Sequence, residues 1–104
     1  MGQFTLDARA QLSINIALAA ANGDGERLRL GEHAARCLGF TGAELDALRR
    51  GSSFDFQLSR AIGLALAPDA EHRDRALRAG LDEQACRAIE AFAARKAGRR
   101  TGSR

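Results

Sequence analysis

The residues with the clearest capacity for chemistry lie in a short segment, residues 26–38, whose sequence predicts a helix. Glu26, Arg29 and His33 are three and four residues apart, so a helix places all three on one stripe of its surface. An imidazole gains and loses its proton near neutral pH, and a guanidinium group binds carboxylates. The stripe therefore predicts a general acid–base site. The alternative is a solvated helix face on which Glu26 and Arg29 form a weak ion pair.

The other groups with potential chemistry are two cysteines and a second histidine. Cys37 and Cys86 are too few for a disulfide scaffold, and no CxxC motif is present to bind zinc or exchange thiols. We therefore predict two buried thiols, Cys37 at a core position one turn after His33, and neither a metal nor another cofactor. His72 stands among acidic residues and is predicted to lie at the surface.

The composition predicts one small helical domain with a thin core. Of 104 residues, 45% are hydrophobic, but 22 of these are alanine, and Val, Trp and Tyr are missing. So few β-branched and aromatic residues exclude an all-β fold, and the apolar content excludes wholesale disorder. Because a short chain with small side chains buries little apolar surface, we expect the protein to self-associate.

The net charge of +3 is concentrated at the C-terminus. Residues 95–104 carry five cations and no acid. We predict a domain over residues 1–97 and a basic flexible tail over residues 98–104. The tail has no interleaved aromatic residues to stack bases, so nucleic acid is an unlikely partner. No apolar stretch resembles a signal peptide or is long enough to cross a membrane, which predicts a soluble cytoplasmic protein without a membrane partner.

Glycine, proline and capping residues divide the chain into six predicted helices and leave no strand candidate. Thr41 and Glu44 have the spacing of a capping box, and Ser52 with Asp55 repeats it. The first helix has two apolar faces and is predicted to be central and buried. The last helix is predicted to end at Gly98. The six predicted helices span residues 5–21, 26–38, 41–51, 52–67, 69–79 and 82–98.

The two halves of the chain resemble each other. The sequence Gln-Leu-Ser at 11–13 recurs at 57–59, and residues 16, 18, 19 and 21 recur at 62, 64, 65 and 67, all at an offset of 46. Later positions correspond at an offset of 41. This pattern predicts a duplicated three-helix unit, with the two copies facing each other in one bundle. The alternative is a chance likeness between alanine-rich amphipathic helices.

Five features follow one another along the chain: an acid near a long alanine-rich helix, Asn-Gly-Asp at 22–24, His-Ala-Ala at 33–35, Leu-Gly-Phe-Thr at 38–41 with Glu44, and Gly-Leu-Asp-Glu at 80–83. In this order, over roughly residues 6–95, the chain resembles the carboxymuconolactone decarboxylase and alkylhydroperoxidase D superfamily. The resemblance implies an alkylhydroperoxidase D-like bundle of about six helices that forms homotrimers or homohexamers, with its active site on the helix that carries His33.

The superfamily's peroxidase branch carries a CxxC motif where this chain has Glu26 and Arg29. The resemblance therefore implies the branch without cysteines, and a cofactor-independent lyase that acts on a small carboxylated lactone or a related acid. His33 would be the general acid or base, with Glu26 and Arg29 beside it. Two alternatives stay open: a catalytically inactive oligomeric binding or scaffold protein of the same fold, and a nucleic-acid binder that uses the basic tail.

Overall fold

The computed structural model describes residues 4–102, with side chains described for residues 4–96. Within that range it contains six α-helices and no strand, which confirms the predicted all-α fold. The helices are α1 (Ala8–Ala21), α2 (Gly25–Cys37), α3 (Gly42–Arg49), α4 (Phe56–Leu66), α5 (Ala70–Arg78) and α6 (Glu83–Gly102).

Side-chain caps begin most of these helices where the sequence predicts. The carboxylate of Asp7 accepts a hydrogen bond from the Ala10 amide at 2.9 Å, which starts α1. The capping box of α3 is complete: the Thr41 hydroxyl accepts from the Glu44 amide at 3.1 Å, and the Glu44 carboxylate accepts from the Thr41 amide at 2.7 Å. Each cap satisfies backbone donors that a helix N-terminus leaves unpaired.

The predicted capping box of α4 is wrong. Asp55 is itself the N-cap, because its carboxylate accepts from the Leu58 amide at 3.0 Å. Its own amide donates to the Ser53 hydroxyl at 3.1 Å, which fixes the turn before the helix. An Asp carboxylate caps a helix at least as well as a Ser hydroxyl. The helix therefore starts after Asp55, and Phe54 lies outside it with 71% of its surface exposed.

The predicted end of the last helix is also wrong, since α6 continues past Gly98 to Gly102. Glycine costs about 1 kcal/mol in a helix interior relative to alanine, so a single glycine does not by itself end a helix. The side chains from residue 97 onward lie outside the described part of the chain. The flexibility of residues 98–104 stays a prediction.

The two long apolar helices α1 and α4 pack against each other at the centre of the fold. Helices α2 and α3 pack on α1, whereas α5 and α6 pack on α4. The predicted central position of the first helix is confirmed, because six of its residues are buried. In the described part of the chain, no helix has the length and apolar character needed to cross a membrane.

Some corresponding positions of the two three-helix units share the same burial or the same backbone conformation. Leu45 on α3 and Cys86 on α6, which correspond at the offset of 41, are both completely buried. Gly39 and Gly80 also correspond, and both follow the second helix of their unit with positive φ angles of 94° and 104°. A glycine adopts this left-handed conformation without the strain that a Cβ introduces. These corresponding positions support the predicted duplication of a three-helix unit.

An ion pair joins the second and third helices of each unit, with its charges reversed between the units. In the first unit, Glu32 on α2 pairs with Arg49 on α3. In the second unit, Arg73 on α5 donates from Nε to Oε2 of Glu90 on α6 at 3.0 Å. Residues 32 and 49 correspond to residues 73 and 90 at the offset of 41. These two positions therefore hold one acidic and one basic residue in both units, but in opposite order along the chain.

Candidate functional site

Helix α2 turns the predicted catalytic stripe toward solvent. Its inner face is fixed by Ala35, which is fully buried, and by Gly31, which lies so close to α1 that a Cβ atom there would stand 2.9 Å from Cγ1 of Ile16. Glycine thus permits a close approach of the two helices at this point. Residues 33 and 37 project from the opposite side of α2.

Glu26, Arg29 and His33 are all exposed on that outer face. The structure confirms that all three belong to one helix, but it does not bring them into a shared hydrogen-bonded group. Among the described residues, no hydrogen bond or ion pair joins any two of the three. Acid–base chemistry on a small acid requires the reacting groups to converge around the substrate, and a single chain provides no such enclosure here.

The contact of His33 that the structure does show is with Cys37. Its Nε2 atom lies 3.9 Å from the Cys37 Sγ atom, one helical turn away. Cys37 is exposed, so its predicted core position is wrong. The reason is the orientation of α2, which the contact between Gly31 and α1 sets. Cys86 is buried as predicted, and this burial raises the pKa of its thiol.

His72 has a structural role at the start of α5. Its backbone amide and its Nδ1 atom both lie 2.8 Å from Oδ1 of Asp69, the N-cap. These bonds lower the pKa of the Asp69 carboxyl, with the backbone bond the larger cause. The His72 side chain is 30% exposed, which places it at the partly covered surface.

A groove of about 680 Å³ opens elsewhere, at the N-terminal ends of α1 and α4. In it the guanidinium carbon of Arg9 lies 4.1 Å from the centre of the Phe40 ring, and its Nη2 lies 3.7 Å from the Glu44 carboxylate. The three predicted catalytic residues do not line this groove. Sequence analysis missed it, because Arg9 and Phe40 are far apart in the chain and no short motif connects them.

Comparison of the chain with family models, with curated proteins and with solved structures finds no match. The superfamily resemblance therefore stays a prediction. Within the described residues of one chain, no three side chains of His, Cys, Asp or Glu converge to hold a metal ion.

Proposed function

We propose that the protein is a self-assembling helical binding or scaffold module that associates through the outer face of α2. The observation that supports this proposal is a row of exposed apolar residues that runs along that face to Leu38, the C-cap of α2. Leu30 is 67% exposed and Leu38 is 53% exposed, with the exposed Ala34 midway between them. Scattered exposed leucines are common, but a continuous exposed apolar row is typical of an interaction surface.

The spacing of this row suits a second copy of the same chain. Leu30 and Leu38 are each four residues from Ala34, so antiparallel packing about a two-fold axis beside Ala34 sets Leu30 against the partner's Leu38. The small side chain of Ala34 allows the helices to approach closely where they cross. A two-fold contact of this kind produces dimers, or hexamers when combined with a three-fold contact, but does not by itself produce the predicted trimer.

The position of His33 favours assembly over catalysis as the activity of the single chain. His33 lies open to solvent on α2 and does not line the groove. A lyase needs a site that excludes water and aims cations at its substrate. The exposed apolar row, in contrast, is already suited to contact with another protein surface.

The test is the mass of the protein in solution. Light scattering at micromolar concentration should give a multiple of the 11.1 kDa chain mass for the natural sequence. Leu30→Glu should shift the protein to monomer, because it introduces a charge that contact would desolvate. Leu77→Glu on α5, where leucine is 38% exposed, is the matched control and should leave the mass unchanged. A natural protein that is monomeric, or an unchanged mass for Leu30→Glu, contradicts the proposal.

A second candidate is the lyase, with His33 as its general acid or base. It is favoured by one observation: Glu26, Arg29 and His33 share the exposed face that a second copy would cover. Burial at such a contact would supply the exclusion of water that one chain lacks.

The lyase candidate predicts that the assembled protein decarboxylates a small carboxylated lactone. His33→Gln should lower turnover by about 10²–10⁴, the usual loss when a general acid or base is removed. His72→Gln is the control and should retain turnover. Equal rates for the natural protein and His33→Gln, or no turnover by the natural assembly, would reject the lyase.

A further inference from the structure

We propose that His33 and Cys37 form half of a binding site for a tetrahedral divalent metal ion such as zinc, and that a second copy of the chain completes it. The two side chains are exposed on the same face of α2. Their ligand atoms, Nε2 and Sγ, lie 3.9 Å apart and have no other polar partner among the described residues. This inference rests on the proposed self-association through α2.

The distance between the two atoms suits chelation. Zinc binds imidazole nitrogen at about 2.0–2.1 Å and thiolate sulfur at about 2.3 Å in tetrahedral geometry. These values place the two ligand atoms about 3.6 Å apart on the same ion. Shortening the distance between Nε2 of His33 and Sγ of Cys37 by about 0.3 Å, which a small side-chain rotation achieves, therefore allows both atoms to bind one metal ion.

One chain supplies two ligands, whereas a structural zinc site takes four. The described residues of one chain bring no third His, Cys, Asp or Glu into this group. Two antiparallel α2 helices can be related by a two-fold axis perpendicular to the plane that contains both helix axes. Such an axis keeps both copies of His33 and Cys37 on the same side of that plane. The two half-sites then face a common point above the row formed by Leu30, Ala34 and Leu38, and form a His₂Cys₂ set.

Binding requires the thiolate of Cys37 and the neutral imidazole of His33. Each Cys37 thiol releases its proton to solvent as the sulfur–metal bond forms, and two thiolates balance the charge of the divalent ion.

Cobalt(II) is the probe, because its visible absorption reports tetrahedral coordination and its near-ultraviolet charge-transfer band reports bound thiolate. The reduced, metal-free full chain is titrated with cobalt while its mass is measured. We expect saturation at one cobalt per two chains, and a dimer dissociation constant at least about tenfold lower with cobalt present. His33→Gln and Cys37→Ser should each abolish both the absorption bands of bound cobalt and the decrease in the dimer dissociation constant. His72→Gln and Cys86→Ala are the matched controls and should retain both.

Saturation at one cobalt per chain without association would overturn the shared site. So would a dimer that survives a chelator but separates with a thiol reductant, since that dimer is held by a Cys37 disulfide. Failure of the metal site is distinguishable from failure of the proposed function. If the natural chain assembles without metal, Leu30→Glu separates it and cobalt gives no thiolate band, self-association stands and the metal site is rejected.

Discussion

Replacing Leu64 with alanine should lower the free energy of unfolding by about 3 kcal/mol, a value within the range for buried leucines. Leu64 lies on α4 and is completely buried in the core between the two three-helix units. The change removes apolar contacts and leaves a cavity that neighbouring helices fill only in part. Because a domain of this size has about 5–15 kcal/mol of stability in total, chemical denaturation should detect the loss readily.

Leu18 is the matched control, since it occupies the corresponding position on α1 at the offset of 46. It is only partly buried and packs at the edge of the core. Leu18→Ala should therefore cost about 1 kcal/mol, because less apolar surface is returned to water. Equal losses at the two positions would mean that Leu64 is less enclosed than this fold requires.

The sequence predicted the helices because their signals are local. The Thr41 and Glu44 capping box lies within one turn, and the glycines that follow α2 and α5 act within a few residues. Local signals also caused the two errors at helix ends. Ser52 and Asp55 are both suited to cap α4, and the sequence alone did not decide between them; Gly98 was too weak a signal to mark the end of α6. The repeat was predictable because equivalent core positions have similar side chains.

The orientation of α2 was not predictable from its own residues. Helical spacing placed His33 and Cys37 on one face, but which face points inward depends on Gly31 meeting Ile16 of α1. That contact joins two helices and has no signature within either. The groove around Arg9 has the same origin, since its lining comes from separate parts of the chain. Candidate residues could therefore be named from the sequence, whereas their exposure could not.

Arg49→Ala should lower the free energy of unfolding by about 2–3 kcal/mol, because it leaves the carboxylate of Glu32 without its partner. The Glu32 side chain is 12% exposed, so water replaces the lost guanidinium poorly. Arg78→Ala is the control, since its pair with Asp74 is open to solvent with side chains 80% and 58% exposed. It should change stability by less than about 0.5 kcal/mol.

The charge-reversed pair of the second unit allows a further test, which asks whether the ion-pair positions of the two units are equivalent. There, Arg73 and Glu90 hold the positions of Glu32 and Arg49, so the backbone accepts either order of charges. Glu32→Arg together with Arg49→Glu should therefore recover much of the stability lost in Arg49→Ala.

Asp46 limits this recovery, because it also pairs with Arg49 and would repel a glutamate there. The corresponding residue in the second unit is Arg87. Adding Asp46→Arg to the reversed pair gives positions 32, 46 and 49 the charges of their counterparts in the second unit, and should raise stability above that of the reversed pair alone. Thermal unfolding of Arg49→Ala, Arg78→Ala, the reversed pair and the triple variant measures these differences in stability. If the triple variant is no more stable than Arg49→Ala, the two units do not share an interchangeable ion-pair site, and their structural equivalence ends at the apolar core.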